Sequence, residues 1–218
     1  EMWRGRLGLI PDMGQRDIWF HAASVGEVKV IGFLIDYLRR KQPSLRVHVT
    51  VMTQAGFKMA TSSFGQEVTV SYLPLDATAS VKRTLDLLRP RMLVIAETEI
   101  WPNLVTEAKR RGIPVVLING RMSEKAFGRY RRLRGTMRQL FACYDRFFFK
   151  TVEDQSRYHH LGVSPEMSVL AGDMKFDAPP FELSLEQAAE IRRHAGVTES
   201  EFIFVAGSTR SGEEAILL

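Results

Sequence analysis

An α/β protein, with a parallel sheet covered by helices on both faces, is the architecture this sequence predicts. Two observations carry it. Apolar runs of strand length, such as Met92 to Ala96 (MLVIA) and Pro114 to Asn119 (PVVLIN), are nearly continuous, as strands buried on both faces are. They alternate with segments whose apolar residues recur at helical spacing, so strand–helix–strand units follow one another. Crossovers in such units are right-handed, and ligands collect outside the carboxyl ends of the strands.

In chain order, residues 1–10 (EMWRGRLGLI) carry no pattern that assigns an element. Ile18 to Ala22 is a buried strand, followed by a tight turn and a helix from near Gly26, with Val30, Ile31, Leu34, Ile35 and Leu38 at helical spacing. Ser24 suits the N-cap, and Glu27 stands three residues later, the spacing of a capping box. Arg46 to Val51 alternates as a strand, and Thr53 to Gly56 turns into a helix through about Phe64. Val68 to Leu73 is a third strand, closed by Pro74. A helix near Ala79 to Leu88 ends before Pro90, because the residue preceding proline resists helical geometry.

Met92 to Ala96 leads into Glu97-Thr-Glu-Ile-Trp-Pro102, and Pro102 fits the first position of a helix that stops at Gly112. After the strand from Pro114 to Asn119 comes an arginine-rich segment, helical from about Ser123 to Cys143, with Gly128 and Gly135 as candidate breaks. Arg146 to Lys150 is a strand, Val152 to Leu161 a helix, and Ser168 to Ala171 a last short strand. Residues 1–178 therefore read as one sheet domain. Asp177-Ala-Pro-Pro-Phe181 is a boundary, since two prolines stop both helix and sheet. Residues 179–201 read as a linker with a capped helix from Ser184 to His194. Phe202 to Ala206 begins a strand and Gly207-Ser-Thr-Arg-Ser-Gly-Glu-Glu214 a helix, so residues 202–218 are expected to open a second α/β domain that is cut short.

Composition bounds the function. Hydrophobic content of 45% with 25% charged residues is that of a soluble globular chain. No apolar run approaches the ~20 residues of a membrane span, and no signal peptide is visible. A lone Cys143 rules out a disulfide framework. His21, His48, His159, His160 and His194 show no metal-ligand spacing, and no metal site is expected. The net charge is +5, yet Arg121 to Arg138 holds seven basic residues against Glu124 alone, so the remainder of the chain sums to −1. One basic patch thus carries the balance. Such a patch meets phosphates, or is simply a solvated helix face.

Several residues are placed where chemistry would be. Glu27 at the mouth of the sheet is either a capping carboxylate or a base for a substrate hydroxyl. Glu97 and Glu99 end a buried strand beside Trp101, where they would position a hydroxyl or offset developing positive charge. Lys175, in Gly172-Asp-Met-Lys-Phe-Asp177, would meet an anion or pair with Asp173 and Asp177. Gly207-Ser-Thr-Arg210 opens a helix, where backbone N–H groups would hold an anion. The chain lacks a Walker sequence, a GxGxxG turn, a GxSxG elbow and a Cys/His pairing, which excludes P-loop ATPase, standard dinucleotide-binding and acyl-transfer readings.

Taken together, these strings resemble the lipid A Kdo transferases, which move 3-deoxy-D-manno-oct-2-ulosonic acid (Kdo) from its CMP ester onto a lipid A precursor. The matching strings are His21-Ala-Ala-Ser-Val-Gly-Glu-Val28, Val51-Met-Thr-Gln54, Tyr72-Leu-Pro-Leu-Asp76, Glu97-Thr-Glu-Ile-Trp-Pro-Asn103, Asn119-Gly-Arg-Met-Ser123, Gly172-Asp-Met-Lys-Phe-Asp177 and Gly207-Ser-Thr-Arg-Ser-Gly-Glu-Glu214. They occur in the family's order over nearly the whole chain. The resemblance implies the Rossmann-like, acceptor-side domain of a GT-B glycosyltransferase, and an inverting reaction without metal or other cofactor at the cytoplasmic face of the bacterial inner membrane. It implies Glu27 as general base, kept ionised by its helix N-terminus, with Glu97 and Lys175 as transition-state stabilisers. Ser24, Gly26, Glu99, Arg121, Ser208, Thr209 and Arg210 would bind substrate. Arg210 stands where the family more often shows histidine.

The implied partners are the lipid A precursor, the membrane surface, and CMP-Kdo through a donor domain that this chain is expected to lack, together with the family's hydrophobic anchor. The polypeptide alone is then expected to be inactive. The alternatives are another nucleotide-sugar transferase of the same fold, or a membrane- or nucleic-acid-binding module built on Arg121–Arg138. Against nucleic acid, that segment's only aromatics are Phe127 and Tyr130 and no reading motif is present.

Overall fold

All seven strands expected within residues 1–178 form, and every pairing between them is parallel. The computed structural model describes residues 2–65, 67–177, 183–198, 201, 203–207 and 209–217. They fall into two units, Glu1–Ala178 and Pro179–Leu218. The first unit runs α1 (Met2–Arg6), β1 (Ile18–His21), α2 (Val25–Lys41), β2 (Val47–Val51), α3 (Gln54–Phe64), β3 (Thr69–Tyr72) and α4 (Thr78–Leu88). It continues with β4 (Leu93–Ala96), α5 (Pro102–Arg110), β5 (Val115–Gly120), α6 (Glu124–Arg131), α7 (Arg134–Phe141), β6 (Arg146–Phe149), α8 (Val152–His160) and β7 (Ser168–Leu170).

The sheet order is β3-β2-β1-β4-β5-β6-β7. The chain begins in the middle, winds out to β3, then crosses back to the other flank of β1 with β4. The winding direction therefore reverses between β1 and β4, and the carboxyl ends of those two strands bound the crevice where doubly wound sheets take ligands.

Side chains alternate between two cores. Trp19, Leu93, Ile95, Leu117 and Phe147 lie on one face with Leu85 of α4, Leu104 of α5, Phe141 of α7 and Tyr158 of α8. Phe20, Val49, Val94, Ala96 and Ile118 lie on the other, with Ile31 and Ile35 of α2 and Phe64 of α3. Each such side chain contributes ~1.5–3 kcal/mol on burial, and a one-residue slip would exchange the two cores, so the register is fixed. Most polar strand residues are satisfied internally, although the buried Nε2 of His21 has no partner among the described residues. Trp19 Nε1 donates to Thr50 Oγ1 at 2.8 Å, and both ring nitrogens of His48 meet hydroxyls of Thr69 and Ser71.

Two expectations are corrected, and one segment that carried no pattern takes a definite form. Residues Met2–Arg6 form a helix, because Gly5 lets the backbone press on Tyr72 (an added Cβ would sit 3.1 Å from its Cβ) and Arg6 donates to the Met52 carbonyl at 2.7 Å. The arginine-rich segment breaks at Leu133 (φ −111°, ψ 27°) and not at Gly128 or Gly135. A glycine costs a helix about 1 kcal/mol relative to alanine without ending it. In the second unit, residues 203–207 form no strand, and Ile203, Phe204 and Val205 are exposed. A strand needs a ladder partner for its N–H and C=O groups, and none pairs with this one among the described residues. That unit otherwise holds α9 (Leu185–Ala195), with a reciprocal Ser184–Gln187 capping box, and the four-residue α10 (Glu214–Leu217).

The start of α5 has no cap of its own. Asp76, from the loop after β3, supplies one: its carboxylate accepts the N–H groups of Asn103 at 3.0 Å and Leu104 at 2.8 Å. Asp76→Ala is expected to lower stability by about 1–2 kcal/mol, seen as a lower urea midpoint at unchanged slope.

Candidate functional site

At the switch point, a tight turn after β1 delivers Glu27 into the first turn of α2. Ser24 Oγ accepts the Glu27 N–H at 3.3 Å, as an N-cap should. The Glu27 side chain turns back, accepting from the Ala23 N–H at 2.8 Å and from the Ser24 hydroxyl at 2.9 Å. The reciprocal bond thus goes to Ala23 rather than to the backbone N–H of the N-cap, a variation on the expected capping box. Glu27 is only 7% exposed. Ser24 and Gly26 are exposed on the turn.

Burial pushes the Glu27 carboxyl above the usual range. The two donors oppose that, and the nearby charges of Glu97 and Glu99 reinforce it. Desolvation thus outweighs the donors that the helix start supplies, and the net direction is upward. Glu99, half-buried, is raised too, by burial first and Glu97 second.

Glu97 is 4% exposed. Its Oε2 receives Arg121 Nε at 2.9 Å, and its Oε1 is 3.4 Å from Asn119 Nδ2. Glu97 (φ 60°) and Asn119 (φ 51°) both hold left-handed backbone at the ends of adjacent strands. Strain of this kind costs about 1–3 kcal/mol per residue and concentrates at functional sites. Gly120 follows because an added Cβ there would come within 2.9 Å of the Phe149 ring.

Lys175 is exposed on a short 3-10 turn, Met174–Asp177, after β7. The Met174 N–H donates to Asn119 Oδ1 at 3.2 Å, which ties this turn to the residue beside Glu97. Lys175 offers Asp173 its backbone N–H at 3.1 Å, while the Asp173 carboxylate pairs with Lys150 at 2.7 Å. The Lys175 ammonium forms no ion pair among the described residues. The structure thus gathers Glu27, Glu97, Glu99 and Arg121, with Lys175 tethered through one backbone bond and no direct contact to the carboxylates.

Of the remaining expected site residues, Ser208 lies outside the described residues. Thr209 and the exposed Arg210 belong to the second unit, where no helix starts at Gly207; the Arg210 N–H instead meets Glu213 at 2.9 Å. The helix-terminus anion site expected there is not formed by the described residues, for want of the strand that would anchor it.

Sequence reasoning missed Asn119, His21 and a neighbouring hollow. A buried asparagine closing an apolar strand was the available signal for Asn119, since asparagine tolerates left-handed backbone. His21, fully buried with its pKa pulled down to about 3 by desolvation, is a neutral ring edge-on to Trp101 at 5.7 Å. Beside Arg121, a cavity of about 560 Å³ opens between α6 and α8, lined among others by Arg121, Arg129, Tyr130, Lys150, Thr151 and Asp154. No group of three or more His, Cys, Asp or Glu among the described residues is arranged to hold a metal ion.

A doubly wound parallel sheet with buried carboxylates at its switch point has the Rossmann-like architecture of GT-B-like proteins. The same architecture occurs in UDP-GlcNAc 2-epimerase from Neisseria meningitidis bound to UDP-GlcNAc, at TM-score 0.55 and 12% identity, covering 84% of this chain and 52% of that one. That likeness concerns the fold. Residues 1–178 match the family of 3-deoxy-D-manno-octulosonic-acid transferases, and the chain belongs to it. Among its relatives is the 3-deoxy-D-manno-octulosonic acid transferase of Haemophilus influenzae, 30% identical over 92% of this chain and 47% of that protein. The corresponding transferase of Chlamydia pneumoniae is 31% identical over 89% and 45%. A bifunctional glycosyltransferase/methyltransferase of Fusobacterium nucleatum is 29% identical over 92% and 31%. The chain thus spans less than half the length of these relatives.

The raised Glu27 carboxyl has a stability signature. A group whose folded pKa lies above its unfolded value adds stability that is present at low pH and lost as pH rises through the folded value. The stability of the parent protein relative to Glu27→Gln is therefore expected to fall as pH rises from the ordinary glutamate range, checked by urea unfolding of both proteins across pH 4 to 8.

Proposed function

We propose that this chain is the acceptor-side domain of a transferase that moves Kdo from CMP-Kdo onto a glucosamine hydroxyl of a lipid A precursor, at the cytoplasmic face of the inner membrane. The observation that carries the reading is the buried Glu27 carboxylate at the switch point, within electrostatic reach of Glu97 and Glu99. Glu27 takes the proton of the acceptor hydroxyl as that oxygen attacks the anomeric carbon. The bond from that carbon to the phosphate oxygen breaks, CMP leaves with the electron pair, and the configuration inverts.

Positive charge grows on the sugar during the displacement. Glu97, oriented by Arg121 and Asn119, offsets that charge, and the unpaired Lys175 ammonium supports the anions. Glu99 and the exposed turn at Ser24 and Gly26 line the acceptor's approach. CMP-Kdo is bound by a donor domain in which Ser208, Thr209 and Arg210 take part. The reaction is written without a metal or other cofactor, and the membrane surface presents the acceptor.

Base catalysis of this kind is worth typically ~10²–10⁴ in rate. Glu27→Gln in the full-length gene product is therefore expected to lower transfer to the lipid A precursor by roughly that factor, and near-parental turnover would remove Glu27 as the base. In the parent, turnover is expected to fall as pH drops through a value above the usual carboxylate range. Glu27→Gln should lose that acid limb.

A further inference from the structure

The basic run between Arg121 and Arg138 does not act as one surface. Arg134 and Arg138 line a separate hollow beside Gly162. Only Arg121 and Arg129 of the seven reach the cavity between α6 and α8.

Inside that cavity the charges are nearly all committed. Arg121 is held by Glu97 at 2.9 Å and Lys150 by Asp173 at 2.7 Å. The Asp154 carboxylate accepts the Met122 N–H and the Thr151 hydroxyl, both at 2.8 Å, and lies 3.7 Å from Arg157. Arg129 is the exception, with no acidic partner among the described residues. The hollow therefore carries an uncompensated guanidinium, flanked by two further cations and by Tyr130.

We propose that this cavity is an anion subsite that receives a phosphomonoester of the acceptor, with Arg129 as its principal ligand; the assignment to the acceptor rests on the transferase reading above. A phosphomonoester carries ≈ −1.5 to −2 charge at neutral pH and offers three strong acceptor oxygens, which the planar fork of an arginine meets in pairs. About 560 Å³ is room for a phosphate with part of its sugar. The bond from Arg121 to Glu97 makes the cavity wall continuous with the carboxylate site. An acceptor phosphate held at Arg129 would thus orient the sugar toward Glu27, with Asp154 of the same wall already engaged by Met122, Thr151 and Arg157.

The test is calorimetric titration of the intact protein with glucosamine 1-phosphate, with glucosamine, and with phosphatidylglycerol vesicles, for parent, Arg129→Ala and Glu27→Gln. Arg129 is exposed and its side chain makes no hydrogen bond or ion pair to another described residue, so its truncation should leave the thermal melt unchanged. Expected are binding of the phosphosugar at least about tenfold tighter than glucosamine, a loss of about tenfold in Arg129→Ala, and no loss in Glu27→Gln. Equal binding of the two sugars, or unchanged phosphosugar affinity in Arg129→Ala, would overturn the proposal even if Glu27→Gln abolishes transfer. Arg129-dependent binding of vesicles without binding of the phosphosugar would overturn it in favour of a lipid headgroup. Absence of transfer by the full-length parent protein removes the transferase reading, and the assignment of the anion to an acceptor with it, whatever Arg129 does.

Discussion

Burial of the sheet on both faces is the constraint on which the structure depends. Strands covered on either side have no room for unpaired charge, so ionisable groups are driven to the strand ends. Polar side chains inside are bonded there where partners reach them, as His48 is to Thr69 and Ser71 and Trp19 is to Thr50. Because the winding reverses between β1 and β4, the turn after β1 and the loop after β4 project their polar residues into the same crevice. Glu27, Glu97 and Glu99 are neighbours for that topological reason, although 70 residues of chain separate the first from the second.

Three carboxylates in one crevice repel, and the fold offsets that repulsion unevenly. Arg121 takes Glu97, and Ala23 and Ser24 donate to Glu27. Glu99 has no such donor among the described residues, and burial with Glu97 nearby leaves its carboxyl raised. The left-handed backbone at Glu97 and Asn119 adds a conformational cost at the same point. Relieving either would stabilise the fold, and both persist because the surrounding pairings over-determine them. A raised carboxyl is also a stronger base, so the arrangement that costs stability is the one suited to proton transfer.

The seven strands and their helices were legible because both cores write themselves into the sequence as apolar runs and helical periodicity. Glu27, Glu97 and Lys175 were legible as strand-end residues within matched strings. What was not legible depends on contacts between segments far apart in the chain. Asp76 capping α5, Asn119 linking Glu97 to Met174, and Arg121 reaching Glu97 leave no local pattern. The break at Leu133 was hidden in the same way, since two glycines nearby looked like the better stops. The strand expected from Phe202 misled for the opposite reason: its composition is that of a core strand, but composition supplies no ladder partner.

The pairing of Asp173 shows how one such contact sets the chemistry of another residue. Sequence spacing puts Asp173 and Asp177 beside Lys175, which suggests a neutralised lysine. In the fold, β6 brings Lys150 to the Asp173 carboxylate, and the Lys150 side chain is far more buried than Lys175 is. A partly desolvated pair is the stronger of the two possible pairings, because screening by water is weaker there. Burial of Asp173 works against its ionised form, yet the Lys150 hydrogen bond and the Lys175 N–H outweigh it and hold the carboxyl below the usual range. Lys175 is thereby left without a direct ion pair among the described residues, although its charge still acts on Asp173, on a turn whose backbone is anchored to Asn119. The anchoring bond fixes where that charge can swing, and the Lys150–Asp173 pair leaves the side chain free to turn toward a ligand.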